Sequence, residues 1–292
     1  MSDKCKWILK GIFVVAVLVG CVFLVVNVGK ASDKLVFVNV PGSSGSEEME
    51  MFKPILDYVA KTSGIDIEYK IVTDYAACIQ ALRFGYADMA RLGPFQYVQA
   101  RTLAGVFPIA CDIKSNTGEP FYYSLILAST STGLVAGEVT AEDLKGKTIA
   151  FVSPSSTSGY MVPETILQKL GLVDDDFREV YFAGSHSTSI AALANGMVDV
   201  CCTNEFRYLK AIESGAITED DAVIIFRSDP IPTDPVVLRP GLGEETVARL
   251  VAAWLTVPAD ACEVFALDGF AMAMDEDYNP IRSIADTLDL NP

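Results

Sequence analysis

Apolar positions along the chain fall into short continuous runs, which read as buried strands, and into stretches with apolar residues three and four apart, which read as helices packed on them. The folded part opens with an apolar strand at 35–40. A helix runs to about Thr62 and stops at Gly64, with Ser44 and Glu47 spaced as a capping box. A strand at 65–72, a helix at 74–84, a short strand at 87–92, a helix opened by Gly93-Pro94 and a strand at 106–113 continue the alternation. After a long apolar strand at 121–129 it resumes with a strand at 148–152, a helix at 159–170, a strand at 179–182, a helix at 188–195 and strands at 198–202 and 222–226. The remainder reads as mostly helical, most clearly at 244–255 and 259–267. Alternating strands and helices predict α/β layers with largely parallel sheets. The run at 121–129 is long enough to cross between two lobes, and no low-complexity linker separates them, so crossing strands are expected to join them.

The 292-residue length suits two lobes better than one core. A formal net charge of -16 argues against a nucleic-acid partner, whose phosphates it repels, and against a broad basic face. An anionic ligand would have to be held locally, by dipoles in a cleft. Of the seven cysteines, Cys5, Cys21, Cys78, Cys111, Cys201, Cys202 and Cys262, none forms a CxxC or a zinc-spaced cluster, and there is one histidine. No metal site and no cofactor are therefore expected. Cys78, Cys111 and Cys262 read as buried apolar residues, and the vicinal pair Cys201-Cys202 as strand packing.

Lys4, Lys6 and Lys10 precede an uncharged run at 11–29, long enough to span a membrane with the N-terminus in the cytoplasm. Leu18-Val19-Gly20-Cys21 also resembles a lipobox with Cys21 as the acylated residue, although Val22 to Val26 continue the apolar run beyond the cut. On either reading residues 1–30 are an anchor or a lipoprotein signal, and the folded part is tethered to the outer face of the cytoplasmic membrane.

Two strand-to-helix junctions carry candidate chemistry. Ser153-Pro154-Ser155-Ser156-Thr157-Ser158-Gly159 sets hydroxyls and free amides at a helix start, an anion site without formal charge, or else an ordinary serine-rich cap. Ala183-Gly184-Ser185-His186-Ser187-Thr188 has the same character and holds the histidine, which could donate through one ring nitrogen. In Ser228-Asp229-Pro230-Ile231-Pro232-Thr233-Asp234-Pro235 the prolines make a rigid extended path that fixes Asp234. A carboxylate beside an anion is favourable when the ligand keeps a proton for it to accept. Tyr75 at a helix start and Tyr122 at the head of the long strand suit the wall of a small cleft, or the core. The loop Gly42-Ser43-Ser44-Gly45-Ser46 lacks the lysine and spacing of a P-loop and reads as a capped turn.

Taken together, Asp74-Tyr75-Ala76 with Arg83-Phe84, Ser156-Thr157-Ser158-Gly159-Tyr160-Met161-Val162-Pro163, Ala183-Gly184-Ser185-His186, Ala194-Asn195-Gly196-Met197-Val198-Asp199-Val200 and Pro230-Ile231-Pro232-Thr233-Asp234-Pro235 resemble the phosphonate-binding proteins of ABC importers, with their phosphite- and phosphate-binding relatives. The resemblance covers about Leu35 to Ile284. It implies a two-lobed α/β periplasmic-binding-protein fold of type II, with the ligand cleft between lobes joined by two crossing strands. Lobe 1 would take 34–124 and return at 232–292, and lobe 2 would take 125–231. It implies that Tyr75, Tyr122, Ser156, Thr157, Ser158, His186 and Asp234 line the site. In aminoalkylphosphonate binders a further glutamate meets the ligand's amine; Glu205 lies near that place, with a spacing from Val200 about one residue off. The implied partners are a small phosphorus oxyanion (phosphonate, phosphite or phosphate) and an ABC permease and ATPase complex, with the protein itself a monomer.

Two other functions compete. A secreted hydrolase would use Ser158, His186 and Asp234 as nucleophile, base and orienter, but no Gly-x-Ser-x-Gly elbow is present. A sensor would bind the same anions and report to a membrane kinase.

Overall fold

The computed structural model describes residues 34–39, 45–72 and 74–290, without the side chains of 45–49 and Tyr75. The expected anchor at 11–29 with Cys21, and the loop at 42–44 with the Ser44 cap, lie outside the described residues. No helix among the described residues is long and apolar enough to cross a membrane.

In chain order the first elements are β1 (Lys34–Asn39), α1 (Gly45–Ser63), β2 (Asp66–Ile71), α2 (Tyr75–Arg83), β3 (Met89–Arg91), α3 (Pro94–Ala104), β4 (Phe107–Lys114) and β5 (Phe121–Tyr122). The middle segment holds β6 (Ser124–Ser129), β7 (Thr148–Phe151), α4 (Val162–Lys169), β8 (Glu179–Phe182), α5 (His186–Ala194), β9 (Val200–Asn204), α6 (Glu205–Glu213) and β10 (Ala222–Arg227). The chain closes with β11 (Ile231–Pro232), β12 (Pro235–Leu238), α7 (Glu244–Trp254), β13 (Leu267–Ala271) and α8 (Asn279–Thr287).

The strands form two main sheets, ordered β13-β4-β12-β3-β1-β2 and β10-β6-β9-β7-β8, and a ribbon of β5 with β11. Each sheet is the centre of one lobe, and the ribbon pairs Tyr122 with Ile231 where the chain leaves the first lobe and returns to it. The side-chain period of two sorts each sheet's core. In the first, Phe37, Met89 and Val236 face the helices that carry Phe52 and Trp254, while Val38, Ala90 and Val237 face α2, α3 and α8. In the second, Ile126, Phe151 and Cys202 share one face, and Leu125, Ala150 and Cys201 the other. The vicinal cysteines therefore pack into two different layers, and burial pushes the Cys201 thiol up to about 12.

The expectation of largely parallel sheets is corrected. β1–β3, β7–β8 and β7–β9 pair in parallel, but β12 runs antiparallel to both β3 and β4, β13 to β4, and β6 to both β9 and β10. β6, which enters the second lobe, inserts next to β9 and runs against it, and β12, which returns to the first lobe, does the same beside β3, while β10 lies at the edge and pairs with β6 alone. The expected strand at 121–129 is broken at Tyr123, whose carbonyl leaves the ladder to accept from Glu205 N at 3.0 Å. The expected helix at 259–267 ends early: Ala266 takes a left-handed conformation (φ 48°), and Leu267 begins the edge strand β13. Pro235, at the end of the proline path, opens the central strand β12, a place where a missing N–H costs no ladder bond inside the strand.

Candidate ligand-binding site

A cavity of about 440 Å³ lies between the two lobes and takes its lining from both. It is built from strand-to-helix junctions. The first lobe contributes Asp74 and Ala76 at the start of α2, and Gly93, Pro94 and Gln96 at the start of α3. The second contributes the turn after β7, Gly184 to His186 at the start of α5, and Asn204, Phe206 and Arg207 at the start of α6. Each helix start carries unsatisfied N–H groups and a partial positive charge, so their convergence favours an anion.

The serine turn is held from three sides. Ser156 caps a π-helical turn, Thr157–Met161, by accepting from Gly159 N at 3.1 Å. Thr157 Oγ1 accepts from Phe95 N, in the opposite lobe, at 2.9 Å, and Gln96 Nε2 donates to the Ser155 carbonyl. Ser124 Oγ donates to the Ser158 carbonyl at 2.6 Å. Ser156, Thr157 and Ser158 are buried from bulk solvent yet line the cavity. Gly159 has to be glycine here: a Cβ on it would lie 2.3 Å from Val152 Cγ2 and 2.8 Å from Ser156 Oγ.

His186 lies one residue inside the α5 cap, because Ser185, not a later residue, caps the helix by accepting from Thr188 N at 3.1 Å. Its Nδ1 is 3.1 Å from Thr203 Oγ1, and its Nε2 is 3.4 Å from Asn204 Nδ2. Asn204 Oδ1 is spent capping α6, accepting from Arg207 N at 2.9 Å, which turns the amide N–H toward the imidazole. Nε2 is then the acceptor and Nδ1 carries the proton. Burial first, and then the positive charge of Arg207, lower the His186 pKa to about 3, so the ring is neutral. The sequence expectation of a donated hydrogen bond from His186 to a ligand thus requires Nε2 to exchange its tautomer and its Asn204 contact.

A charge network forms the first-lobe wall. Arg91 Nε donates to Asp112 Oδ1 at 3.1 Å and its Nη2 also reaches Asp112; the same Nη2 is 2.8 Å from Asp234 Oδ2. Lys114 Nζ is 2.8 Å from Asp112 Oδ2. Burial would raise the Asp112 carboxyl, but Arg91 and Lys114 outweigh it and hold it at about 2.

Of the residues singled out in the sequence, the cavity lining brings together Tyr122, Ser156, Thr157, Ser158, His186 and Asp234. Tyr75 opens α2 beside them, but its side chain lies outside the described set. Glu205 is not brought to the lining: Arg227 holds its Oε1 from Nη2 at 2.9 Å and Nε at 3.1 Å, and Asn116 donates to its Oε2 at 3.1 Å. A Ser158, His186, Asp234 triad is not assembled either, since the imidazole faces Thr203 and Asn204 and the aspartate faces Arg91. The sequence reading missed Arg91, Lys114, Asn204, Phe206 and Arg207, all in the lining. Asn204 had the same strand-to-helix signature as the serine turn. Asp112 and Lys114, two residues apart in an apolar strand, were a sign of a buried charge pair.

Comparison with known proteins identifies the family and the fold. Residues 37–278 match the family of ABC transporter, phosphonate, periplasmic substrate-binding proteins. The phosphate-import protein PhnD of Mycolicibacterium smegmatis is 26% identical, over 93% of this chain and 95% of that one. The phosphonates-binding periplasmic protein of Escherichia coli is 27% identical, over 80% of this chain and 70% of its own. Among solved structures, PhnD1 from Prochlorococcus marinus in complex with methylphosphonate superposes with a TM-score of 0.79 at 20% identity, covering 89% of this chain and 99% of that one. The chain belongs to the family of periplasmic substrate-binding proteins of ABC phosphonate transporters.

Proposed function

We propose that this protein captures a phosphorus oxyanion (a phosphonate, phosphite or phosphate) on the outer face of the cytoplasmic membrane and delivers it to an ABC permease and ATPase. The observation that carries the reading is the convergence of helix starts and the Ser156–Thr157–Ser158 hydroxyls on one cavity in a chain of net charge -16. A protein this acidic concentrates anions only where fixed dipoles and buried donors do so locally. Tyr122 and Asp234 supply the opposite wall, and Tyr75 belongs to the same set. The lobes divide at 34–124, 125–231 and 232–292, which the two sheets and the β5–β11 ribbon support. The N-terminal run tethers the protein, by an uncleaved helix or through Cys21.

The test is a thermal-shift panel on the full chain in detergent with phosphate, phosphite, methylphosphonate, aminoethylphosphonate and sulfate. Stabilisation by at least one phosphorus compound, at concentrations where sulfate has no effect, is the expected result. Stabilisation by none of them would overturn the reading.

A further inference from the structure

Not every cation of the cavity has a carboxylate partner. Arg91 and Lys114 share Asp112, and Arg91 also meets Asp234, so those two cations are matched by two carboxylates. Asp74, the other carboxylate in the lining, caps α2 by accepting from Ala77 N at 2.8 Å. Arg207 is left over: it lines the cavity half-buried, and no carboxylate among the described residues pairs with it. Its guanidinium carbon stands 5.6 Å from the centre of the Phe206 ring, and Lys114 Nζ, from the other lobe, stands 5.9 Å from the same centre. Two cations are thus drawn to one aromatic ring from opposite sides of the cleft, an arrangement that an anion between them would relieve.

Glu205, the carboxylate whose sequence position suggested a contact with a cationic ligand tail, is occupied by Arg227 and Asn116. The cavity, at about 440 Å³, is also far roomier than a phosphonate head requires. We infer that the preferred ligand is a phosphonate bearing a second anionic group, a carboxylate on a short alkyl chain, with the phosphonate at the serine turn and the carboxylate at Arg207 facing Lys114. Arginine suits the role, because its planar fork meets a carboxylate with two parallel hydrogen bonds. This deepens the phosphorus-oxyanion reading above and rests on it.

The test is calorimetric titration of the full chain in detergent with methylphosphonate, phosphonoacetate and 2-aminoethylphosphonate, for the wild type and for Arg207→Gln. Wild type is expected to bind phosphonoacetate about tenfold or more tighter than either other compound. Arg207→Gln is expected to weaken phosphonoacetate by about tenfold or more and methylphosphonate by a smaller factor. Either other compound binding wild type as tightly as phosphonoacetate, or Arg207→Gln weakening both anions by one factor, overturns the inference and leaves the oxyanion reading intact. Absence of binding by every phosphorus compound overturns both. If Arg207→Gln does not fold, the wild-type ranking alone decides.

Discussion

Arg91 Nη2 lies 2.8 Å from Asp234 Oδ2, and that contact fixes what the aspartate can offer the cleft. The guanidinium takes one carboxylate oxygen, so Oδ1 is the one left for a ligand. It also offsets part of the charge that would otherwise repel an anion. Asp112, fully buried beneath Arg91 and held ionised by Arg91 and Lys114, keeps the guanidinium in place. A negative group can therefore stand in an anion site without closing it, provided that the anion brings a proton.

That condition predicts selectivity against sulfate, which has no proton to give at neutral pH. Phosphate, phosphite and phosphonates retain one at least part of the time. Asp234→Asn should narrow the gap between a phosphonate and sulfate by about 1.5–3 kcal/mol, roughly tenfold to a hundredfold, because the amide can turn an N–H toward a bare oxygen. Calorimetric titration of both proteins with both anions measures it. An unchanged ratio would remove Asp234 from the selectivity mechanism.

Gly159→Ala should damage the serine turn without touching a ligand. The added Cβ would meet Val152 Cγ2 at 2.3 Å and Val152 Cβ at 2.5 Å, and neither can move away without shifting the strand end. Overpacking of this kind costs about 1–3 kcal/mol. Val152→Ala in the same protein should recover part of that stability, as chemical denaturation of the single and double variants would show. Additive losses would mean that the clash relaxes elsewhere.

Much of the site was legible because its signals are local. Ser156, Ser185 and Asn204 are each capping residues at a junction from strand to helix, and that pattern alone marks the junctions facing the cavity. Asp74 reads the same way at α2. Arg91 was not legible, and Lys114 only as half of a buried charge pair, because what brings them to the cavity is a meeting across 20 or more positions of sequence: Arg91 with Asp112 and Asp234, Lys114 with the ring of Phe206. Parallel pairing was over-expected for a similar reason. Alternating elements report a βαβ rhythm, but they say nothing of β12, four residues long, slipping between β3 and β4. Glu205 shows the converse: its sequence position suggested a ligand contact, and distant Arg227 occupies it.

Thr157 joins the lobes as well as lining the cavity, so its loss should register before any ligand is added. Thr157→Ala leaves the Phe95 N–H without its acceptor in a buried place, at a cost of about 1–3 kcal/mol. Thr157→Ser keeps the oxygen and should lose much less. Urea denaturation of the ligand-free proteins distinguishes the two. Equal stabilities for Ala and Ser would show that the bond across the cleft contributes nothing measurable.

His186 predicts an acid response with a definite sign and window. Its pKa is lowered to about 3 by burial and by Arg207, whereas an unfolded chain titrates it near the ordinary value of 6.5. Between those values the unfolded chain binds a proton that the folded protein does not, so stability falls as pH falls, by at most about 1.4 kcal/mol per pH unit. Asp112 acts in the same direction but lower, since its carboxyl drops from 3.8 to about 2, and its contribution is lost only below the ordinary carboxylate range. The interval from pH 6.5 to 5 therefore isolates the imidazole among these two groups. Wild type should lose up to about 2 kcal/mol across it, and His186→Gln, which keeps a polar group but cannot titrate, should lose far less. Because this is the one histidine in the sequence, a single imidazole signal reports it directly by NMR. That signal should stay neutral down to about pH 4. A midpoint near 6.5 would mean that the ring is solvated, and that Arg207 stands too far away to act on it.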